Sequence, residues 1–333
     1  MKHFRPKAFL RLVLLIGSLW ALRRELAGLG PAALLHRLGG YGWIHVTLGL
    51  AATALSFLLL GVLELVTLRS SETSSGRVSH GTAFGTAFIA NAFSQSIGLA
   101  LLTGTAVRIR AYRRHGLDTA AVARVSALVT VSTVLGLLSI GSWALLATSS
   151  PVTVGPYQLA ERPLGALLGV IVLAYVVWTI RARVDTATPP WSRVPRPTPF
   201  VALTQVAVSA ADWLVTGAVL YVFLPADSRA GIWPFLAAYA IAQTVAMVSH
   251  VPAGAGVFEL VLVGLLTAGA PTASRAGMLA AIIMFRALYY LLPLCVAILL
   301  AAGAELRRSR RRKLDRDAPS AAVLVGAQAP HHA

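Results

Sequence analysis

The sequence predicts an all-α, polytopic membrane protein, and its composition and apolar patterning lead to this fold class. Of its 333 residues, 57% are hydrophobic and only 12% are charged, whereas soluble domains carry about 25% charged residues. Apolar runs of about 20 residues recur, and each is long enough to cross a hydrocarbon core of about 30 Å. The runs are continuous rather than alternating, which is typical of membrane helices and not of membrane strands.

The apolar runs define the expected helices. They fall at 8–22, 42–68, 82–107, 119–147, 163–180, 199–224, 232–250, 254–270 and 275–302. We expect six to eight transmembrane helices from them, with one or two re-entrant pairs of half-helices. The amphipathic stretch 23–41 is expected to lie at the membrane interface.

Basic residues predict the orientation. The N-terminal tail, the loop "RIRAYRRHG" (108–116), the loop 181–196 and the tail "RRSRRRK" (307–313) are rich in Arg and Lys. The positive-inside rule places them in the cytoplasm, together with both termini, and places the Lys- and Arg-poor loops 148–162 and 225–231 outside. The expected location is therefore the inner membrane of a bacterium, with a membrane domain over 1–306 and a basic, disordered tail over 307–333.

This orientation conflicts with a complete span over 82–107, because such a span would carry "RIRAYRRHG" to the outside. A re-entrant pair removes the conflict, and the polar residues in the middle of the run agree with it. They are Asn91, Ser94, Gln95, Ser96 and Gly98. Because non-helical backbone at membrane depth needs protein or water to satisfy it, the segment predicts a polar cavity.

The run 232–270 leaves two alternatives, two short spans or a second re-entrant pair. In the second case Glu64 precedes one pair and Asp212 the other, as expected for an inverted repeat. The spacings are similar, 40 residues from Glu64 to Gly104 and 42 from Asp212 to Gly254.

Several function classes find no support. The formal charge of +17 lies in short loops and tails, which argues against nucleic-acid binding. No nucleotide-binding motif, metal-binding His or Cys spacing or hydrolase triad is recognisable, so we expect no enzyme, cofactor or metal. Cys295 is the single cysteine.

Ionisable residues inside apolar runs are the candidate functional groups, because a charge at the bilayer centre is costly. Arg286 and Asp212 lie mid-run and either line a cavity or form a structural ion pair. Glu64 and Arg108 lie near run ends, where interfacial placement is an equal alternative.

The stretch "SHVPAGAGVFELVL" (249–262) breaks an apolar run. Gly254 and Gly256 either form a turn between spans or begin a half-helix whose free amides would attract an anion such as phosphate. Glu259, one turn later, would meet a cationic ligand group or carry a proton.

Six stretches carry a family resemblance. They are "LRRELAGLG", "TALSFLLLGVLELVTLR", "NAFSQSIGLALLTGTAVRIRAYRRHGL", "ADWLVTGAVLYVFLP", "SHVPAGAGVFE" and "FRALYYLLPL". In this order they resemble the transmembrane flippase region of the bacterial aminoacyl-phosphatidylglycerol synthase/flippase family (multiple peptide resistance factor). The resemblance covers most of residues 10–306 and implies movement of lysyl- or alanyl-phosphatidylglycerol to the outer leaflet, which repels cationic peptides.

The resemblance also assigns residues. The family's acidic residue at the end of the second span matches Glu64, its membrane arginine matches Arg108, and its Asp-Trp matches Asp212-Trp213. Its Pro-Gly-Gly-Leu-Gly-Val-Phe-Glu matches 252–259, with Ala replacing the first Gly and Ala255 replacing Leu. Thr105 replaces a further glycine, and after residue 306 we expect a basic tail in place of the family's synthetase domain.

The sequence therefore predicts a stand-alone lipid flippase. Arg108 and Arg286 would contact the lipid phosphate, while Glu64, Asp212 and Glu259 would meet an amino headgroup or protons. The remaining expected site residues are Asn91, Pro252, Gly254 and Gly256. Expected partners are a membrane phospholipid, a separate aminoacyl-lipid synthetase and a second copy of the chain. The alternatives are a non-transporting membrane scaffold that uses the basic tail and a lipid-modifying membrane enzyme.

Overall fold

The computed structural model describes residues 36, 38–70, 78–97, 100–148, 153–154, 157–158, 160–181, 197–225, 231–267 and 272–317. The elements, in chain order, are α1 (Trp43–Arg69), α2 (His80–Ile97), α3 (Ala100–Tyr112), α4 (Thr119–Ala147), β1 (Thr153–Val154), β2 (Tyr157–Gln158), α5 (Glu161–Arg181), α6 (Pro199–Tyr221), α7 (Ile232–Ser249), α8 (Val257–Leu266), α9 (Thr272–Arg286) and α10 (Leu292–Asp317). Short 3₁₀ turns lie at Arg113–His115 and Pro252–Gly254, and a π-helical turn at Ala287–Leu291 joins α9 to α10.

The predicted fold class is confirmed. Among the described residues, six helices are long and apolar enough to cross a membrane: α1, α4, α5, α6, α7 and the continuous helix Arg275–Glu305. The two-residue strands β1 and β2 pair antiparallel between α4 and α5. The predicted apolar segment 8–22 and most of the amphipathic stretch 23–41 lie outside the described residues. Of the predicted tail, residues 307–317 continue α10 and 318–333 are outside the described residues.

The predicted run 82–107 forms two packed helices, α2 and α3, rather than one span. At 13 residues, α3 is about 20 Å long, too short to cross the hydrocarbon core. The two helices approach closely at Gly104, where an added Cβ would lie 2.6 Å from the Ser94 Oγ atom. We call this pair hairpin 1.

The second predicted break, in 232–270, also separates two packed helices, α7 and α8. Because α8 has 10 residues, it is about 15 Å long and cannot be a complete span. We call this pair hairpin 2; its first helix, α7, is long enough to cross a membrane, and its returning helix is short.

The two hairpins begin at opposite ends of the helix bundle. Helices α1 and α6 run antiparallel, since Tyr41 donates a hydrogen bond to the Phe223 carbonyl (2.9 Å) near one end and Gln205 donates to Thr67 (2.8 Å) near the other. Hairpin 1 starts at the second of these ends, where Arg69 contacts His80 (2.9 Å).

Hairpin 2 starts at the other end. The Trp233 ring, at the beginning of α7, lies 6.5 Å from the Trp143 ring at the end of α4. Helix α4 itself begins next to the end of hairpin 1, at Thr119. The order helix, hairpin, helix therefore occurs twice, in opposite directions, as the predicted inverted repeat requires.

A layer of aromatic rings fills the space between hairpin 2 and α9. The ring of Phe258 lies 6.0 Å from that of Tyr239 and 6.1 Å from that of Phe285, which stacks on Tyr289 at 5.5 Å. In helix α5, by contrast, only Gly165 and Thr179 are buried, and Leu173 and Val170 are exposed. This helix lies at the periphery, where its apolar side chains would face lipid.

Candidate functional site

The first charged group joins hairpin 1 to α1. The Nε atom of Arg108 on α3 donates to both carboxylate oxygens of Glu64 on α1, at 2.8 and 2.9 Å, and Nη2 lies 2.7 Å from Oε2. The Tyr112 hydroxyl donates to the same carboxylate at 2.8 Å. Glu64 and Arg108 are 44 residues apart in sequence, and they meet because hairpin 1 folds back onto α1.

This group is buried. Glu64 is 0% exposed, Arg108 is 4% exposed and Tyr112 is 0% exposed. Hairpin 1 folds back over α1 and covers both residues, which their position near run ends did not indicate. A paired arrangement follows, since an isolated buried charge would be very costly.

The second charged group joins hairpin 2 to α9. Arg286 donates through Nε to the Glu259 carboxylate and through Nη1 to the Ala253 carbonyl, at 3.1 Å for the latter. Its guanidinium also lies over the Tyr290 ring, 5.3 Å from the centroid. The Arg286 side chain is 22% exposed and that of Glu259 5%. Arg286 thus forms the predicted ion pair and remains partly accessible.

The Gly256 amide at the start of α8 is not free, although the sequence predicted free amides there for an anion site. Glu259 accepts a hydrogen bond from the Gly256 amide at 2.7 Å, because its side chain folds back over the first turn of its own helix. This is a capping-box contact. The carboxylate therefore already occupies the position that a phosphate would take at Gly256.

The turn of hairpin 2 holds unusual backbone angles. His250, Ala253, Gly254 and Gly256 have φ of 54°, 53°, 61° and 81°. A Cβ at Gly254 would in addition lie 2.8 Å from the Ala246 Cβ. Such a concentration of left-handed residues is typical of functional turns. Pro252 begins the 3₁₀ turn and is exposed.

Asp212 on α6 lies in a third group, which is made of hydroxyls. Ser56 on α1 donates to the Asp212 carboxylate and lies 2.9 Å from the Tyr289 hydroxyl and 3.3 Å from that of Thr216. All four side chains are buried, with at most 4% exposed. In the part of the chain that the structure describes, no Arg, Lys or His lies within 4.0 Å of Asp212.

Asn91 is separate from these groups. Its side-chain amide donates to the Ala87 carbonyl within α2, at 2.8 Å. The structure thus joins eight of the predicted site residues to the two ion pairs, the hydroxyl group or the turn, and leaves Asn91 in a local helix contact. Arg108 and Arg286 do not share one site, because Arg108 pairs with Glu64 and Arg286 pairs with Glu259.

Sequence reasoning missed the neutral partners. Tyr112, Ser56, Thr216 and Tyr289 complete the groups around Glu64 and Asp212, and Gln95 donates to Tyr289 at 3.4 Å. The pair Tyr289-Tyr290 inside an apolar run was a usable signal, because a buried phenol needs a partner. Ser56 gave none, since serine is common in membrane helices. Within the described residues, no set of three His, Cys, Asp or Glu side chains could hold a metal.

Comparison with known families decides the classification. The family model described as the lysylphosphatidylglycerol synthase TM region matches residues 8–297. The chain belongs to this family. The resemblance expected from the sequence is thereby confirmed, and the family supports a lipid-related role in the membrane.

Relatives are found at moderate identity. An uncharacterized protein of Synechocystis is 32% identical over 68% of this chain and 70% of its own length, and the inner membrane protein YbhN of Escherichia coli is 28% identical over 64% and 66%. The phosphatidylglycerol lysyltransferase of Bacillus subtilis is 27% identical over 72% of this chain. The match spans only 27% of the lysyltransferase, so the family is shared while the whole enzyme's activity is not thereby transferred.

Proposed function

We propose that this protein is a lipid flippase that moves aminoacylated phosphatidylglycerol, or a related phospholipid, from the inner to the outer leaflet of the bacterial plasma membrane. One observation carries the proposal: two short hairpins enter the bundle from opposite ends, and each is joined to a long helix by a buried or partly buried ion pair. Such paired elements suit alternating access from the two sides of a membrane.

Arg286 is the residue that would bind the lipid phosphate. Its side chain is 22% exposed, compared with 5% for Arg108. A phosphate would compete with Glu259 for the guanidinium and so would loosen hairpin 2 from α9. Arg108 would become available only when hairpin 1 moves away from Glu64.

The orientation and partners belong to the proposal as well. The end of the bundle that carries Arg69, Arg110, Arg113 and Arg114 would face the cytoplasm, by the positive-inside rule. A separate synthetase would supply the aminoacyl lipid, and its export would reduce binding of cationic antimicrobial peptides. We propose no enzymatic activity for the residues considered.

The test is lipid translocation in proteoliposomes. Purified protein is reconstituted with fluorescent lysyl-phosphatidylglycerol or phosphatidylglycerol, and the label in one leaflet is measured by quenching. We expect Arg286→Gln to lower the rate at least tenfold and Arg110→Gln to leave it unchanged, because Arg110 forms an exposed surface pair with Glu305. Translocation no faster than in protein-free vesicles would contradict the proposal.

A scaffold that uses its basic C-terminal segment is the second candidate, since α10 continues past the membrane span to Asp317 through "RRSRRRK". The two functions separate with one pair of variants. Removal of 307–333 should leave a flippase active but abolish a scaffold's binding to anionic vesicles. Arg286→Gln should inactivate a flippase but leave a scaffold's binding to anionic vesicles intact.

A further inference from the structure

The two ion pairs and the hydroxyl group differ in charge balance. Glu64 is balanced by Arg108 and Glu259 by Arg286. Asp212 is 4% exposed, and within the described residues it contacts hydroxyls but no cationic side chain. Of the three carboxylates, it is thus the one whose charge an external cation can balance.

The hydroxyls around Asp212 form a directed chain. Because Ser56 donates its proton to Asp212, the Ser56 oxygen accepts the proton of Tyr289, at 2.9 Å. Tyr289 in turn accepts from Thr216 at 3.0 Å and from the Gln95 amide at 3.4 Å. Every donor therefore points toward the carboxylate, and such chains polarise one another.

The chain also links separate parts of the fold. Ser56 belongs to α1, Thr216 and Asp212 to α6, Tyr289 to the π-helical turn and Gln95 to hairpin 1. A change in the charge of Asp212 would reverse or break these hydrogen bonds. It would therefore alter the contact between Gln95 and Tyr289, through which hairpin 1 reaches the π turn.

The spacing of the oxygens indicates which cation fits. The distances from Ser56 to Tyr289 and from Thr216 to Tyr289, 2.9 and 3.0 Å, are direct hydrogen bonds that close the group on itself. A metal ion with several oxygen ligands would need these bonds to open. The amino group of a lipid would likewise reach Asp212 only in a state of the bundle in which the hydroxyl group has opened. A proton needs no additional space, because protonated Asp212 donates to Ser56 where it now accepts.

We infer that Asp212 is a proton-binding site and that its proton is exchanged for the cationic amino group of the transported lipid. This rests on the proposed flippase function. One carboxylate balances one positive charge, so the proton and the amino group exclude each other. For lysyl-phosphatidylglycerol, whose two amino groups and one phosphate leave a net charge of +1, the lipid that leaves outward is replaced by a proton that moves inward, and no net charge crosses the membrane.

The other charged and titratable groups near Asp212 do not replace it as the proton-binding group. Tyr289 of the π turn and Tyr239 of α7 are the titratable groups in electrostatic range. Both are buried phenols, and Tyr239 accepts a hydrogen bond from Gln243 at 3.2 Å. Arg286 is one turn from Tyr289 in sequence but pairs with Glu259. On α1, Ser56 contacts Asp212 and Thr67 accepts a hydrogen bond from Gln205 of α6, and on α4 the Thr133 carbonyl accepts one from Trp213.

The proton site is tested without lipid transport. Infrared difference spectra of the full chain in liposomes, recorded while the pH is changed, should show a protonated carboxyl band that disappears in Asp212→Asn and persists in Glu305→Gln, whose carboxylate is at the surface. Tyr289→Phe retains the ring that stacks on Phe285 but removes the hydroxyl, so it should shift the band. If Asp212→Asn retains the titrating band, or no band titrates, the proton site is refuted.

Coupling is tested in the same liposomes with lysyl-phosphatidylglycerol. A gradient of one pH unit, acid outside, should change the outward accumulation ratio about tenfold for one proton per lipid. It should have no effect on Asp212→Asn. Equal transport with and without the gradient would overturn the coupling and leave the flippase standing. No transport by a wild-type protein that still shows the Asp212 band would overturn the flippase and the coupling, and leave the proton site.

Discussion

Glu64 and Arg108 illustrate how a buried ion pair binds two elements together at the scale of single residues. The pair has 0% and 5% of its side-chain surface exposed and accepts a further hydrogen bond from Tyr112. Desolvation makes the pair itself weakly stabilising, but removing one partner leaves an uncompensated charge in a medium without water.

Glu64→Gln should therefore reduce the free energy of unfolding by about 3–5 kcal/mol. The measurement is the fraction of folded protein that remains after heating in detergent, followed by size-exclusion chromatography. Arg110→Gln is the matched control, because the Arg110–Glu305 pair is 63% and 50% exposed and such pairs contribute about 0–1 kcal/mol. Equal stability of the two variants would contradict a buried role for Glu64.

Ala253 carries a backbone cost that glycine would remove. Its φ of 53° is in the left-handed region, which costs a residue with a Cβ about 1–2 kcal/mol. Ala253→Gly should raise the free energy of unfolding by about 1 kcal/mol, after allowance for the greater freedom of glycine in the unfolded chain.

Ala255→Gly is the control for this change, because Ala255 has a φ of −60° and an ordinary extended backbone. We expect Ala255→Gly to lower stability slightly. The same chromatographic measurement applies, and a destabilised Ala253→Gly would show that the Ala253 side chain matters more than its backbone angle.

At the residue scale the sequence predicted the charged members of the site but not their environment. A charged residue inside an apolar run is costly and usually functional, so the sequence identifies Asp212 and Arg286 as candidate functional residues. Asp212 is bonded by Ser56, 156 residues away, and Ser56 in turn contacts Tyr289, 233 residues away. No local pattern encodes such a contact, because it arises only when the hairpins and long helices have packed.

At the scale of elements, glycine determines how closely α4 and α6 approach. A Cβ at Gly136 would lie 2.6 Å from the Ser209 backbone carbon and 2.7 Å from the Ala210 nitrogen. Backbone atoms inside a helix cannot shift independently, so the helices themselves would have to separate.

Gly136→Ala should accordingly destabilise the protein by about 1–3 kcal/mol, as overpacking does. Gly264→Ala is the control, because nothing lies within 4 Å of a Cβ at that position of α8. There the substitution should gain about 0.5–1 kcal/mol of helix stability. Thermal unfolding of both variants in detergent measures the difference, and equal effects would disprove the close approach.

The elements themselves were predictable to different degrees. The long helices α1, α4 and α6 follow from apolar length, and hairpin 1 follows from its polar centre together with the charge of the next loop. The π-helical turn at Ala287–Leu291 did not follow, because its residues are as apolar as those of a regular helix.

At the scale of the whole molecule, the opposite directions of the two hairpins determine which loops share a side. His115 follows hairpin 1, while Ala160 precedes α5 at the other end of α4. In a Cys295→Ser background, His115→Cys and Ala160→Cys should react with an impermeant maleimide from opposite sides of the membrane. His115→Cys should react from the cytoplasmic side.

This experiment also separates the fold from its orientation. Labelling of both positions from the same side would contradict the arrangement of α4. Labelling from opposite sides in the reverse sense would retain the fold and overturn the orientation drawn from the basic loops. A control cysteine at Glu305, at the end of the last span, should follow His115, because Arg110 and Glu305 are 2.5 Å apart.

The π-helical turn has one more consequence, for insertions and deletions. A π turn holds one residue more than an α-helical turn, and one residue corresponds to about 100° of rotation. The turn therefore sets the rotation about the helix axis between the side chains of Tyr289 and Leu299. Tyr289 is 3% exposed, and Leu299, further along the same helix, is 72% exposed. Deletion of a single residue here would rotate the rest of the helix by more than a quarter turn, so the length of this segment constrains the helix more strongly than the identity of its outward-facing side chains.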